Sequence, residues 1–428
     1  MKKNKLLSLI NNINLLLMEL FVSPAYYNII FIFIFIGSVN GQKKFPFDKA
    51  ENKGMSIMQI DLNDSLGLQT IVDIDSNLYL GHPTSFISNK DEITIIYLTG
   101  HALGNIRSVK SYDGGINWIE NLDIPEEWNI LPDTNIYTGY KVNSPFTQVP
   151  TAYKLNPNFG EERVFLYTGV FTPRAGEYFP ARYASMDLAA DCRTWSSLRP
   201  LVFGGKTISP NVLFADLIKL KDGKYLGTFH FDDRNEEMGN NGKIFTAVTE
   251  NGYEFTEPKL AVEFSEAFLC EAGLIRSPDG SSIAMLMREN NRIFNSFISI
   301  SHDEGITWSQ PRQLPDALTG DRHQGVVLPD GRLFISFRDV GVESSTRGDW
   351  VGWIGKFDDL LAGSEGEYRI RFKDNLVGYD CGYPTIHLFE NGDIFLATYG
   401  HWEENYPPYI LAYRINIRTL DKLSEKSK

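Results

Sequence analysis

Histidine, arginine and tyrosine recur in this chain at one kind of place, the ends of short apolar runs, and these are side chains that move protons and hold carboxylates. Tyr79-Leu-Gly-His-Pro83, Tyr97-Leu-Thr-Gly-His101, Phe229-His-Phe-Asp-Asp-Arg234, Thr319-Gly-Asp-Arg-His323 and Thr398-Tyr-Gly-His-Trp402 put five of the seven histidines there: His82, His101, His230, His323 and His401. Leu269-Cys-Glu-Ala-Gly273 and Leu286-Met-Arg-Glu-Asn290 contribute Glu271 and Arg288, and Ile335-Ser-Phe-Arg-Asp339 and Tyr379-Asp-Cys-Gly-Tyr-Pro384 contribute Arg338 and Tyr383. Imidazole is the natural base near neutral pH, the guanidinium fork pairs bidentately with carboxylate, and a phenol serves as acid or base at close range. Together they suit proton transfer beside a bound carboxylate. The pair Arg322-His323 follows Gly320 at a strand start, where packing gives little reason for two charged groups. His82 and His101 lack the spacing of a closed zinc site, and neither a metal nor a cofactor is expected.

Such scattered residues need elements that bring them together, and the turns supply the plan. The pattern Ser-x-Asp-x-Gly-x-x-Trp occurs intact at Ser111–Trp118 and Ser301–Trp308, with weaker relatives at Ser185–Trp195 and Thr249–Phe255. The Asp accepts backbone N–H groups of the turn, and Gly supplies a positive φ. A second series, Asp222-Gly223, Asp279-Gly280, Asp330-Gly331 and Asn391-Gly392, alternates with the first. Segments beginning near 78, 145, 212, 268, 322 and 383 then hold two hairpins each, four short strands, which is the unit of a propeller. The expectation is an all-β, six-bladed β-propeller over 78–428, preceded by a lead-in segment, 42–77, whose alternating Ser56–Leu62 stretch closes the ring with the last blade. The innermost strands start at the mouth of the central channel, so the polar run ends above line a site.

Composition agrees with one large sheet-rich core: 428 residues, 43% hydrophobic and 13% aromatic. A net charge of −13 argues against nucleic acid as a partner. Three cysteines, Cys192, Cys270 and Cys381, cannot all pair and read as buried small residues. The run Ile29–Ile36, followed by Gly-Ser-Val-Asn-Gly41, reads as an export signal or N-terminal anchor over 1–41. The mature part is thus expected in the periplasm or outside the cell, without stable membrane insertion after cleavage.

The two intact Asp-turns and the six-unit spacing resemble the sialidase-like (Asp-box, or BNR-repeat) superfamily over roughly residues 75–415. That resemblance implies a site with three arginines on a carboxylate, an aspartate acid/base, and a tyrosine nucleophile backed by a glutamate. Arg288, Arg322 and Arg338 could form the clamp, and Tyr383 or Tyr379 falls where the tyrosine belongs. The first arginine of the pattern is replaced, since Gly81-His82-Pro83 stands in its place. The leading expectation is therefore β-elimination from the end of a uronic-acid oligosaccharide, by a lyase or dehydratase. His101, His230, His323, Tyr383 and His401 are the catalytic candidates, and His82, Arg288, Arg322, Arg338 and Glu271 bind the anionic substrate. The alternatives are a sialidase-like hydrolase, with Tyr383 as nucleophile, Glu271 as its partner and Asp339 as acid/base, and a glycan-binding propeller that stacks sugars on Trp350, Trp353 and Trp402.

Overall fold

The computed structural model describes residues 55–101, 104–120, 124–129, 149–156, 162–168, 180–188, 194–231 and 242–426. The signal or anchor segment 1–41 and Cys192 lie outside the described residues. β-Branched and aromatic residues fill the strands, and the second strand of each blade, such as Glu92–Leu98 or Leu333–Asp339, is buried almost end to end because sheets pack on both of its faces. Hairpin corners fall where the Gly turns were expected, with φ of +87° at Gly223, +74° at Gly280, +84° at Gly331 and +81° at Gly392.

The described residues form seven sheets, not six. Six are blades, with innermost strands Gly81–Asn89, Pro150–Leu155, Val212–Lys219, Leu269–Arg276, Gly320–Val327 and Gly382–Leu388. These inner strands pack side by side around an axis, the last against the first. The seventh sheet is small: the hairpin Val202–Phe203 and Lys206–Thr207 pairs with Glu254–Phe255. Two-residue strands have too short a pattern to announce themselves in sequence. Residues 56–62 also behave differently from expectation, since Met58–Asp61 adds a parallel strand to Tyr368–Lys373 of the fifth blade. The sixth blade is completed instead by Gln69–Asp73, antiparallel to Tyr409–Asn416.

The two intact Asp-turns are near copies of each other. Ser301 Oγ donates to Asp303 Oδ1 and accepts from Gly305 N, Asp303 Oδ1 accepts from Thr307 N, and Trp308 Nε1 donates to Gly305 O at 3.2 Å. Ser111, Asp113, Gly115, Asn117 and Trp118 repeat this arrangement. Trp350, Trp353 and Trp402 are 0%, 0% and 5% exposed and seal blades against one another, so none is a sugar platform. Cys270 and Cys381 are free and buried.

One irregularity recurs from blade to blade. Five of the six inner strands carry a bulge near their start, between Gly81 and Thr84, Val212 and Asp216, Cys270 and Gly273, Asp321 and Gln324, and Gly382 and Thr385. Each bulge holds a non-glycine residue in the left-handed region: His82 (φ +56°), Phe214 (+45°), Glu271 (+47°), Arg322 (+59°) and Tyr383 (+62°). That conformation costs about 1–2 kcal/mol for each L-residue. Bulges re-aim side chains, and four of these five supply the site described next.

Candidate active site

Tyr383 is the centre of the constellation. Its hydroxyl donates to Glu271 Oε1 at 2.6 Å, its ring lies 4.8 Å from the Arg322 guanidinium, and the His82 ring is also 4.8 Å away. Three of these four residues come from blades four to six and His82 from the first, so the adjacency exists only because the ring closes. A cavity of about 280 Å³ opens beside them, with His82, Arg322 and Tyr383 in its wall.

The electrostatics follow from burial set against charge. Burial alone would raise the Glu271 carboxyl, but Arg288, Arg322 and the Tyr383 hydroxyl overcome it and hold it well below the usual carboxylate range. Arg288 Nη1 donates to Glu271 Oε2 at 2.8 Å. The Tyr383 phenol is pushed up, by burial first and then by the Glu271 charge, so it rests protonated. Burial, reinforced by His101, lowers His82 to about 3 and keeps it neutral. Arg322 is 5% exposed, and its Nη1 has no hydrogen-bond partner among the described residues. A buried guanidinium N–H left unmatched is costly unless something fills it.

A second cluster stands at the rim and shares His82 with the first. Asp380 accepts the Tyr79 hydroxyl at 2.6 Å and faces His401 Nε2 at 2.9 Å and His101 Nδ1 at 3.1 Å. Tyr79 has a single proton, and while it is spent on Asp380 the His101 Nδ1 must be the donor to this oxygen-rich corner. This leaves His101 Nε2 facing outward, on a side chain 63% exposed and 5.1 Å, ring to ring, from His82. Burial would raise Asp380, but hydrogen bonds from His101, His401 and Tyr79 hold it far down.

The remaining candidates fall elsewhere. His323 is 2% exposed; it lies 2.8 Å from the Leu318 carbonyl through Nε2 and packs on Phe337, and it does not line the cavity. The residue beside it, Arg322, takes the left-handed turn inward, which directs the next side chain into the blade. His230 is 2% exposed and supports the chain under Glu271, accepting Glu271 N at 3.5 Å through Nδ1. Arg338 does not face a ligand either. It binds Asp321 Oδ2 through Nε at 2.9 Å and the Cys381 carbonyl at 2.7 Å. Arg292 grips the same Asp321 with two bonds of 2.7 and 2.6 Å, and Arg288 Nε lies 3.3 Å from it. Thus the expected clamp of Arg288, Arg322 and Arg338 does not form. A three-arginine clamp is present, made by Arg288, Arg292 and Arg338, and the chain's own Asp321 fills it. Asp339 is fully buried, receiving Gly341 N and Thr346 Oγ1 and pairing with Arg369 at 3.0 Å, so it has no access to a substrate.

Sequence reasoning missed Asp380, Tyr79, Arg292 and Asp321. Asp380 had a signal, a carboxylate three residues ahead of Tyr383 at a strand start, but nothing in the sequence told which acids would face the rim.

No protein-family model and no curated protein matches this chain. Solved structures do share its fold. A protein of unknown function from Dyadobacter fermentans superposes with a TM-score of 0.60 at 15% identity, covering 81% of this chain and 97% of that one. An alpha-L-arabinofuranosidase from Fusarium graminearum, solved with an iminosugar inhibitor, gives 0.58 at 12% identity over 82% and 98%. The NanB sialidase from Streptococcus pneumoniae gives 0.52 at 12% identity over 82% and 70%. The fold is a sialidase-like propeller.

Proposed function

We propose that this protein is a carbohydrate-active enzyme whose substrate sugar carries a carboxylate, with Tyr383 as the reacting group. The observation that carries the reading is the cavity in which a protonated Tyr383, hydrogen-bonded to ionised Glu271, stands beside a buried Arg322 with an unmatched N–H. Arg322 is suited to receive the carboxylate in a charge-assisted bond. A neutral phenol is the right nucleophile beside a bound anion, because a carboxylate there would be repelled. As the Tyr383 oxygen bonds to the anomeric carbon, its proton passes to Glu271, and the bond to the departing oxygen breaks as that oxygen takes the Nε2 proton of a His101 imidazolium held through Nδ1 by Asp380. Water then attacks the anomeric carbon as its bond to the Tyr383 oxygen breaks, the now neutral His101 takes the water's proton, and Glu271 returns its proton to Tyr383. Kinship of fold with a sialidase and an arabinofuranosidase agrees with glycan processing and does not choose the sugar.

A second reading, β-elimination from a uronate, keeps one specific support: His101, oriented through Nδ1 by Asp380, is exposed and stands 5.1 Å, ring to ring, from the cavity residue His82. It has lost His230 and His323 as bases, and His82 is too weak a base at about 3. The substrate in either case is an anionic oligosaccharide, met outside the cytoplasm if the Ile29–Ile36 run directs export.

The deciding experiment incubates purified protein with aryl glycosides of N-acetylneuraminate and glucuronate and with uronate oligosaccharides. Release of a free saturated acidic sugar, abolished in Tyr383→Phe, supports hydrolysis. Growth of the ultraviolet band of an unsaturated uronate supports elimination. Turnover of neutral glycosides only would sink the acidic-substrate reading.

A further inference from the structure

The cavity does not end at Tyr383. It continues along the inner strands of the first, second and last blades, where Ser85, Thr385 and His387 also line it. Ser85 Oγ lies 2.5 Å from Thr385 Oγ1 and 2.7 Å from His387 Nε2, contacts between residues 300 and 302 positions apart. Thr385 is two residues beyond Tyr383 on the same inner strand, and both line the one cavity.

The hydrogen-bond count leaves capacity for a guest. Ser85 has one proton, so it donates to only one of its two partners. If His387 Nε2 donates to Ser85, then Ser85 donates to Thr385 and the Thr385 proton is unspent. If the chain runs the other way, the Ser85 and Thr385 hydroxyls keep unused lone pairs. Thr385 Oγ1 has no other partner among the described residues, and both Thr385 and His387 are only partly buried. Ser85, Thr385 and His387 themselves carry no charge, and the one lysine on the wall is matched by a carboxylate. Burial lowers His387 to about 4, which keeps it neutral, and Lys154, on the same cavity wall, is paired with Glu162 at 2.9 Å. A cation at one end and neutral hydroxyls at the other define which way an acidic sugar faces.

The geometry points to a floor subsite, Ser85–Thr385–His387, that binds the hydroxyl groups of the sugar whose carboxylate meets Arg322. It rests on the reading of the Tyr383 cavity given above and fixes the orientation of the sugar within it: acid group at the mouth, ring hydroxyls toward the axis.

The test is NMR of the full chain carrying Tyr383→Phe and isotope-labelled histidine, titrated separately with D-glucuronate and N-acetylneuraminate. His82 and His387 are assigned through His82→Gln and His387→Gln. The imidazole signals of both residues are expected to move along one saturation curve, and Ser85→Ala, in a chain that still folds, is expected to weaken that curve about tenfold through the loss of one hydrogen bond to the sugar. Thr385→Val serves as the second variant if Ser85→Ala loosens the blades. A shift at His82 with none at His387, or an unchanged Kd in a folded floor variant, overturns the floor subsite and leaves the Tyr383 reading standing. Silence at both histidines with both sugars counts against the two together.

Discussion

Tyr383 donates its hydroxyl proton to Glu271 at 2.6 Å across 112 residues of sequence, and both residues sit in left-handed bulges of their strands. The protein accepts backbone strain in order to make this contact. Tyr383→Phe removes the nucleophile while keeping the ring between His82 and Arg322. It is expected to leave the melting temperature within a few degrees and to lower kcat by at least about 10³-fold, judged by the size of losses at reacting groups. Glu271→Gln should reduce kcat as well, by about 10²–10⁴-fold, because the proton of Tyr383 then has no charged acceptor.

Arg322 is expected to act on binding. Arg322→Met leaves the substrate carboxylate without its partner, and loss of one charge-assisted bond of about 1.5–3 kcal/mol raises KM roughly 10- to 100-fold. The check is a comparison of the acidic substrate with its methyl ester or amide. The variant should lose most of the wild-type preference for the acid, and an undiminished preference would place the carboxylate elsewhere.

Asp321 has a different task. It is 1% exposed and pairs with Arg288, Arg292 and Arg338, so Asp321→Asn leaves the buried Arg338 and the partly buried Arg292 without a carboxylate, while Arg288 keeps Glu271. Breaking a buried ion cluster from one side costs about 3–5 kcal/mol. Urea unfolding should show a lower midpoint with an unchanged slope. A stable, active Asp321→Asn protein would mean that the arginines find other anions.

The buried His323 makes acid stability predictable in sign. Its imidazole is lowered from 6.5 to about 4 by burial, so the unfolded chain binds the proton first as pH falls. This contribution to stability is complete above 6.5, is lost progressively between about 6.5 and 4, and amounts to about 3 kcal/mol. His323→Gln keeps a donor for the Leu318 carbonyl and should flatten that part of the stability curve. The same variant should retain activity, since His323 lies outside the cavity.

His101 offers the remaining contrast. His101→Ala should cut turnover of substrates with poor leaving groups by about 10²-fold or more while sparing those with an activated aryl leaving group, the pattern expected when proton transfer to the leaving oxygen is removed. An equal loss on both would make His101 a binding residue.

Much of the scaffold was readable from the turns. Gly223, Gly280, Gly331 and Gly392 mark corners that only a residue tolerant of positive φ fills cheaply, and their alternation with the Asp-turns gave blade starts close to the observed ones. The site was legible as a set of strand-start residues, because inner strands do begin at the mouth. It was not legible one residue at a time. Arg322 and His323 are adjacent in sequence, yet the bulge sends the first into the cavity and the second into the blade. Which arginines would be consumed internally depended on Asp321, whose surroundings come from two different blades. Rim acids such as Asp380 are identified only once the loops bearing Tyr79, His101 and His401 meet.

The pairing of Gln69–Asp73 with Tyr409–Asn416 joins the two ends of the folded ring. During synthesis this seam cannot form until the final blade has left the ribosome. Until then Val72 lacks the partners Ile410 and Ala412 with which it shares a core, and Tyr383 and His82 are not yet neighbours. The cavity wall and the seam thus both depend on the last blade, and a chain cut before Tyr409 would lack the strand that closes the ring.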